Sequence, residues 1–330
     1  MTGQRPRLRW SVRIGWAVLS AATVLTLAGP VVAPHQPNEQ FTDRAYAPPT
    51  RIHLMDAAGL HAPFMHPLVP VDRLARLYRE DTSVRIPLVW FRHGLISSSD
   101  PAQPLLIFGA DALGRDVFSR LLFGARLSLG VTLLGVLGAL VIGGTVGALA
   151  GTVGGWTERG LMLMADFLLA LPGAYLVLVL RGVLPLVPET SAIFLLMALV
   201  FSLAAWPHAA RGVRAIVATE RSREYADAAR AAGAGRWRLA RQLLPAARGF
   251  LAVEVILLVP ALLIAEATVS FLGLGFADVS GSWGAMLQDL ANGQVLADAP
   301  WLLAPAAAIF VVVLATQLLA GARATADTLS

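Results

Sequence analysis

Six runs of apolar residues, each of roughly membrane-crossing length, constrain this chain more than any other feature. They are Ile14–Ala33, Leu127–Val153, Leu161–Leu180, Ser191–Trp206, Phe250–Leu272 and Trp301–Leu319. A helix needs about 20 residues at 1.5 Å each to cross roughly 30 Å of hydrocarbon, and Ser191–Trp206 is the shortest of the six. An open strand could not satisfy its backbone N–H and C=O groups in lipid, so each run is expected to be helical. The expected fold class is therefore an all-α integral membrane protein of six transmembrane helices in contact with membrane lipid. Only 14% of the 330 residues are charged, against about 25% in ordinary soluble domains.

The arginines orient these spans. All 26 basic residues are arginine. With the N-terminus inside, residues 1–13 hold four, 154–160 one, 207–249 nine and 323–330 one, whereas 182–190 and 273–299 hold none. Segment 34–125 holds nine, but loops beyond roughly 60 residues escape the positive-inside rule. Both termini and the 207–249 loop are expected on the cytoplasmic side. Arg5, Arg7, Arg9 and Arg13, followed by an apolar run and Val31-Val-Ala33, also read as a signal peptide. The run is long for a signal, which favours an uncleaved anchor. The expected divisions are 1–33, an extracytoplasmic insertion at 34–108, a core at 109–322 and a tail at 323–330.

Several chemistries are excluded or disfavoured. With no cysteine, disulfides, thiolate metal sites and cysteine nucleophiles are ruled out. No basic stripe with interleaved aromatics suggests nucleic acid. No phosphate-cradling loop or nucleophile elbow is present, so no cofactor or catalytic residue is assigned, and any nucleotide site belongs to another chain. His53, His61 and His66, with Asp56 nearby, lack the helical spacing of a zinc enzyme, and no metal is assigned. Asp166, Glu254 and Glu266 fall inside expected spans, where charge is costly, and are candidates for a pathway or structural role. Gly143, Gly147, Gly151 and Gly155 recur every four residues, as expected for one helix face that lets a neighbour approach closely. Pro172, Pro260 and Pro305 are expected to kink their helices. In the insertion, Ser83–Phe91 has strand character and Asp72–Asp81 is expected to be a short amphipathic helix.

The remaining polar island, from Glu224-Tyr-Ala-Asp-Ala-Ala-Arg-Ala-Ala-Gly233 to Leu243-Leu-Pro245, is unlike a plain loop. Alanines favour a helix over Ser222–Ala232, Ser222 or Thr219 suits its N-cap, and Gly233 fits the left-handed position after its last turn. Arg223 and Asp227, four apart, are expected to pair. A soluble helix beside a membrane in a chain without a nucleotide site reads either as a coupling element for a partner or as a solvated topogenic loop.

The island resembles the EAA loop of ABC importer permeases, in the form found in the dipeptide, oligopeptide and nickel family, where the pattern runs roughly E-Y-x-E-A-A-x-x-x-G. Gly109–Arg126 is similar to the segment preceding the second helix of the C-type subunit, Glu266–Gly275 to its fifth-helix end, and Ser282–Leu287 to the following loop. Asp227 stands where the family has glutamate, Ala110 replaces a threonine, and the interval from Gly233 to Pro245 is a residue short. The resemblance implies a permease subunit of an ATP-driven importer of peptides or similar small solutes in the bacterial inner membrane. Its implied partners are a sister permease, two cytoplasmic ABC ATPase subunits and an extracytoplasmic substrate-binding protein. It assigns ATPase coupling to Glu224, Tyr225, Asp227, Ala228, Ala229, Arg230 and Gly233. The rival reading is a channel or proton-coupled secondary transporter using Asp166, Glu254 and Glu266.

Overall fold

The computed structural model describes residues 4–56, 59–72, 76–171, 182, 189–278 and 281–327, which are mostly helical. In chain order the helices are α1 (Gln4–Val32), α2 (Val117–Val153), α3 (Gly155–Ala170), α4 (Thr190–Glu220), α5 (Glu224–Ala231), α6 (Arg236–Leu243), α7 (Arg248–Phe271), α8 (Trp283–Met286), α9 (Gly293–Asp298) and α10 (Ala304–Asp327). Among the described residues, five helical stretches are long and apolar enough to cross a membrane: Trp10–Val32, Val117–Val153, Thr190–Glu220, Arg236–Phe271 and Pro300–Gly321. They coincide with five of the six expected runs. Helix α3 covers the first half of the other run, and its remainder, with Pro172, lies outside the described residues.

The chain divides into two compact units. The first comprises Met1–Val18, Leu129–Val269 and Val312–Ser330. Its α2–α4 contact is built on small residues. A Cβ added to Gly143 would lie 2.6 Å from the Trp206 carbonyl oxygen, one on Gly147 2.5 Å from that of Ala210, and one on Gly151 2.8 Å from that of Arg214. Three glycines one turn apart thus let α4 lie backbone to backbone along α2. Gly155 is not part of this face. Helix α2 ends at Val153, the chain turns through two left-handed glycines, and a Cβ on Gly155 would meet nothing within 4 Å.

Helix α4 continues beyond the expected run ending at Trp206. It passes through Pro207 and on to Glu220, because Ala209, Ala210, Val213 and Val217 keep a buried apolar face on a segment whose other face is polar. Mean hydropathy falls there, but helical amphipathicity does not. Pro305 does not kink α10. It occupies the second residue of that helix, where the missing N–H breaks no intrahelical bond.

The second unit comprises Leu19–Ser128 and Ser270–Val311. Its insertion is a β structure rather than an all-α one. Strands β1 (His53–Asp56), β2 (Gly59–Met65), β3 (Leu68–Asp72), β4 (Leu77–Glu80), β5 (Ile86–Trp90) and β6 (Ile96–Ser98) form an antiparallel β1-β2-β5-β6 sheet and a β3-β4 hairpin. Where the helix was expected over Asp72–Asp81, the structure has strand at Asp72 and Leu77–Glu80, and 73–75 lie outside the described residues. Leu68, Val69 and Pro70 pair with Glu80, Arg79 and Tyr78, burial alternates along β4, and the Tyr78 hydroxyl donates to the Ala45 carbonyl at 2.7 Å. Cross-strand pairing overrides a short helical pattern that has no apolar stripe of its own to bury. The strand expected at Ser83–Phe91 is present as β5. Met65, Ile86, Leu88 and Leu105 form one small core beneath the sheet.

Helix α1 carries Pro30, which has no N–H to offer the Thr26 carbonyl four residues earlier. Arg126 of α2 fills the gap, its Nε donating to Thr26 O at 2.9 Å and its Nη2 to Leu27 O at 2.8 Å.

Candidate functional site

The island folds as a pair of short helices on the end of α4. Helix α5 spans Glu224–Ala231, slightly shorter than expected. Its N-cap is Arg223, without a side-chain cap bond, rather than Ser222 or Thr219; the Thr219 hydroxyl donates instead to the Ala215 carbonyl inside α4. The C-terminus carries a complete left-handed stop. Gly233 has φ +81°, its N–H donates to Arg230 O at 2.9 Å, and the Ala234 N–H donates to Ala229 O at 3.0 Å.

The expected Arg223–Asp227 pair is replaced by two others. Arg223, outside the helix, turns back to Glu220 at 3.1 Å, and Asp227 pairs with Arg230 at 2.9 Å. Arg230 also donates to the Arg221 carbonyl at 2.7 Å, while the Arg221 guanidinium donates to the Thr152 carbonyl in the last turn of α2 at 3.1 Å. A continuous chain of polar contacts thus runs from α5 to the end of α2.

The underside of the pair is apolar and buried. Ala226 of α5 and Leu239, Ala240 and Leu243 of α6 pack with Val213 and Val217 of α4 and Ala148 of α2. Pro245 opens a single 3-10 turn, Leu244–Ala247, that leads into α7. Glu224, Tyr225, Asp227 and Ala228 face solvent, Ala229 is partly buried against the seat, and Trp237 on α6 is exposed. Trp237 was not singled out from sequence; its place among arginines on a strongly amphipathic eight-residue helix was the available signal.

The three candidate carboxylates sit on two helices. Asp166 on α3 forms an ion pair with Arg211 on α4, beside a second α3–α4 pair, Glu158 with Arg214. Glu254 and Glu266 are both buried on α7. Asp166 is thereby part of a helix-to-helix clasp.

The second unit holds a charged cluster that the sequence reading passed over. Asp111 accepts from Arg115 Nε at 2.7 Å and from Arg120, while Asp278 accepts from Arg115 Nη2 at 2.5 Å and Arg120 Nη2 at 2.8 Å. Both arginines and Asp111 are almost fully buried. Burial opposes ionisation of Asp278, but Arg120 and Arg115 hold it below the usual carboxylate range. Beside them Asp116 caps α2, accepting from the Phe118 and Ser119 N–H groups and from the Ser119 hydroxyl at 2.5 Å. Burial pushes its carboxyl up to about 7 against the opposing pull of the Ser119 and Phe118 hydrogen bonds. The loop after α7 is held here too. Gly124 lies where a Cβ would be 2.1 Å from the Gly281 carbonyl, and the buried Trp283 indole donates to Leu121 O at 2.9 Å. The Asp111/Arg115 spacing and the Asp116-x-x-Ser119 cap were legible signals, whereas Asp278, 158 residues beyond Arg120, was not.

Comparison with known proteins identifies the family of the chain. Residues 143–322 match the family described as binding-protein-dependent transport system inner membrane component. A glutathione transport system permease protein of Pectobacterium atrosepticum is 35% identical over 212 residues, 64% of this chain and 68% of that protein. A putative peptide permease protein of Brucella ovis is 37% identical over 210 residues, 63% of this chain and 68% of its own length. A dipeptide transport system permease protein of Bacillus subtilis is 36% identical over 199 residues, 60% of each chain. The proton-coupled or channel reading has no support among these likenesses.

Proposed function

Because this chain belongs to the family of binding-protein-dependent transport system inner membrane components, we propose that it is the permease subunit through which an importer takes up peptides or similar small solutes. Peptide cargo is inferred from the relatives, whose names specify glutathione, peptide and dipeptide transport. In this reading a sister permease supplies the other half of the pathway, two separate ATPase chains supply the energy and a binding protein delivers the solute. Both termini and the α5–α6 pair face the cytoplasm, and residues 34–108 lie on the opposite side.

The observation that carries the reading is the mounting of α5. Its solvent face presents Glu224, Tyr225, Asp227 and Ala228, while its other face is fixed to α2 and α4 through Ala226 and the Arg230–Arg221–Thr152 contacts. A partner pressing on α5 therefore moves two long helices. ATP-driven closure of the ATPase pair biases the bundle between inward- and outward-facing states. Arg230 braces this mount, leaving Glu224, Tyr225 and Asp227 to meet the partner.

Gly233→Pro cannot adopt φ +81° and Asp227→Arg reverses the charge at one position and cancels the negative charge of the docking face. Both are expected to abolish ATP-coupled uptake of short peptides into vesicles supplied with the binding protein, while the permease remains inserted. Normal uptake by both variants would sink the assignment.

A further inference from the structure

A cavity of about 490 Å³ lies in the second unit, where α1 leaves its apolar run, and nothing in the transport mechanism uses it. Its walls include Pro30, Ala33, Phe41 and Phe123, and Ser97 and Ser98 also line it. Ser97 is 3% exposed, and its hydroxyl has no hydrogen-bond partner among the described residues. A buried hydroxyl left unpaired is destabilising, and a bound polar group would relieve it. The cavity also carries exposed groups of opposite character, the Arg92 cation and the His93 imidazole together with the carboxylates Glu39 and Asp100.

The loop bearing Arg92 and His93 is held firmly. Gly94 has φ +74°, and any Cβ there would lie 2.3 Å from the Ala33 carbonyl; the Leu95 N–H donates to Val32 O at 3.2 Å. Arg92 and His93 are thus tied to the end of α1. His35, already engaged with Leu105 O at 3.3 Å and near Glu39 at 3.8 Å, closes another side.

Position identifies the kind of ligand. The cavity borders the last turn of a membrane-length helix whose apolar window is only 11% buried within the chain, which leaves most of that face open to lipid. Phe123 is in the first turns of a second such helix, and the loop that bears Arg92 and His93 is bonded to Val32 at the end of α1. That is the depth of phospholipid headgroups, where a guanidinium with a neighbouring N–H donor recognises phosphate. Acceptors on the same site call for a second, cationic group with N–H donors. We infer that this cavity is a binding site for the headgroup of a zwitterionic phospholipid of the phosphoethanolamine type, with phosphate at Arg92 and His93 and ammonium at Glu39 and Asp100.

The experiment uses the full chain purified in mild detergent. Lipid retention is followed by native mass spectrometry after exchange into equimolar phosphatidylethanolamine, phosphatidylcholine and phosphatidylglycerol. Preferential retention of phosphatidylethanolamine is expected, weakened about tenfold in Arg92→Ala and in Glu39→Gln, each of which removes a charged hydrogen-bonding partner. Ser97→Val should weaken it too, whereas Arg51→Ala, exposed and outside the cavity, should leave it unchanged. Arg92 and Glu39 are exposed, so their loss leaves the fold intact. Equal retention of the three lipids, or retention indifferent to Arg92 and Glu39, overturns the inference. So does displacement of the lipid by a free dipeptide, which would make the site a solute site.

Discussion

The α5–α6 pair and the Asp111–Arg115–Arg120–Asp278 cluster are opposite solutions to holding a loop on a helical bundle. The pair turns its charges outward and is fixed underneath by alanine and leucine, with Ala226 and Leu243 fully buried. The cluster turns its charges inward, and its arginines have only 2–3% of their side chains exposed. An apolar seat leaves polar groups available to a partner and is insensitive to which charged residues decorate it. The ionic cluster presents outward only the partly exposed Asp278 and fixes one geometry, because removing any member strands the others.

The contrast is broken most severely at Arg120. Arg120→Ala leaves Asp111 and Asp278 sharing Arg115 alone, and a loss of about 3 kcal/mol in stability is expected. Thermal unfolding of the purified protein measures it; a change within about 0.5 kcal/mol would mean that the cluster contributes no more than a surface pair. The apolar seam is tested by neighbouring glycines. Gly147→Ala forces a Cβ against the Ala210 carbonyl and should cost about 1–3 kcal/mol. Gly144→Ala meets nothing within 4 Å and should be neutral or stabilising by up to about 1 kcal/mol. Equal effects would show that α2–α4 spacing is looser than described.

The smallest effect concerns Asp116. Its folded carboxyl is raised from the ordinary 3.8 to about 7, so the folded state holds a proton that the unfolded state has lost in between. Stability should therefore fall as pH rises from about 4 to about 7. Asp116→Asn should flatten that portion of the curve while keeping the Asp111 pairs. A slope unchanged in the variant would assign it to another group.

Much of this was legible in sequence because lipid imposes a simple rule on spans. The expected runs locate α1, α2, α4, α7 and α10, and Gly233 marks the end of α5. Boundaries were less legible. Hydropathy ends at Trp206, but the buried stripe Ala209, Val213, Val217 carries α4 onward. Gly155 keeps the four-residue spacing of Gly143, Gly147 and Gly151 although the helix has already ended, since spacing is blind to a left-handed turn. The β insertion was half legible: β5 showed its own β-branched residues, while β4 takes its conformation from β3. Asp278 was invisible because its partners are brought to it by the fold.

The length of α4 has a mechanical consequence. Its 31 residues make a rod of about 46 Å, against roughly 30 Å of hydrocarbon, so some 16 Å extends beyond it. The α5–α6 pair is carried at the tip of that overhang. A tilt of about 10° around the membrane midplane moves a point 30 Å away by about 5 Å, one helical pitch. Under the proposed coupling the overhang is a lever that turns a broad stroke at the tip into a small rotation within the bilayer, and Pro207 withholds one N–H from the helix ladder along its length.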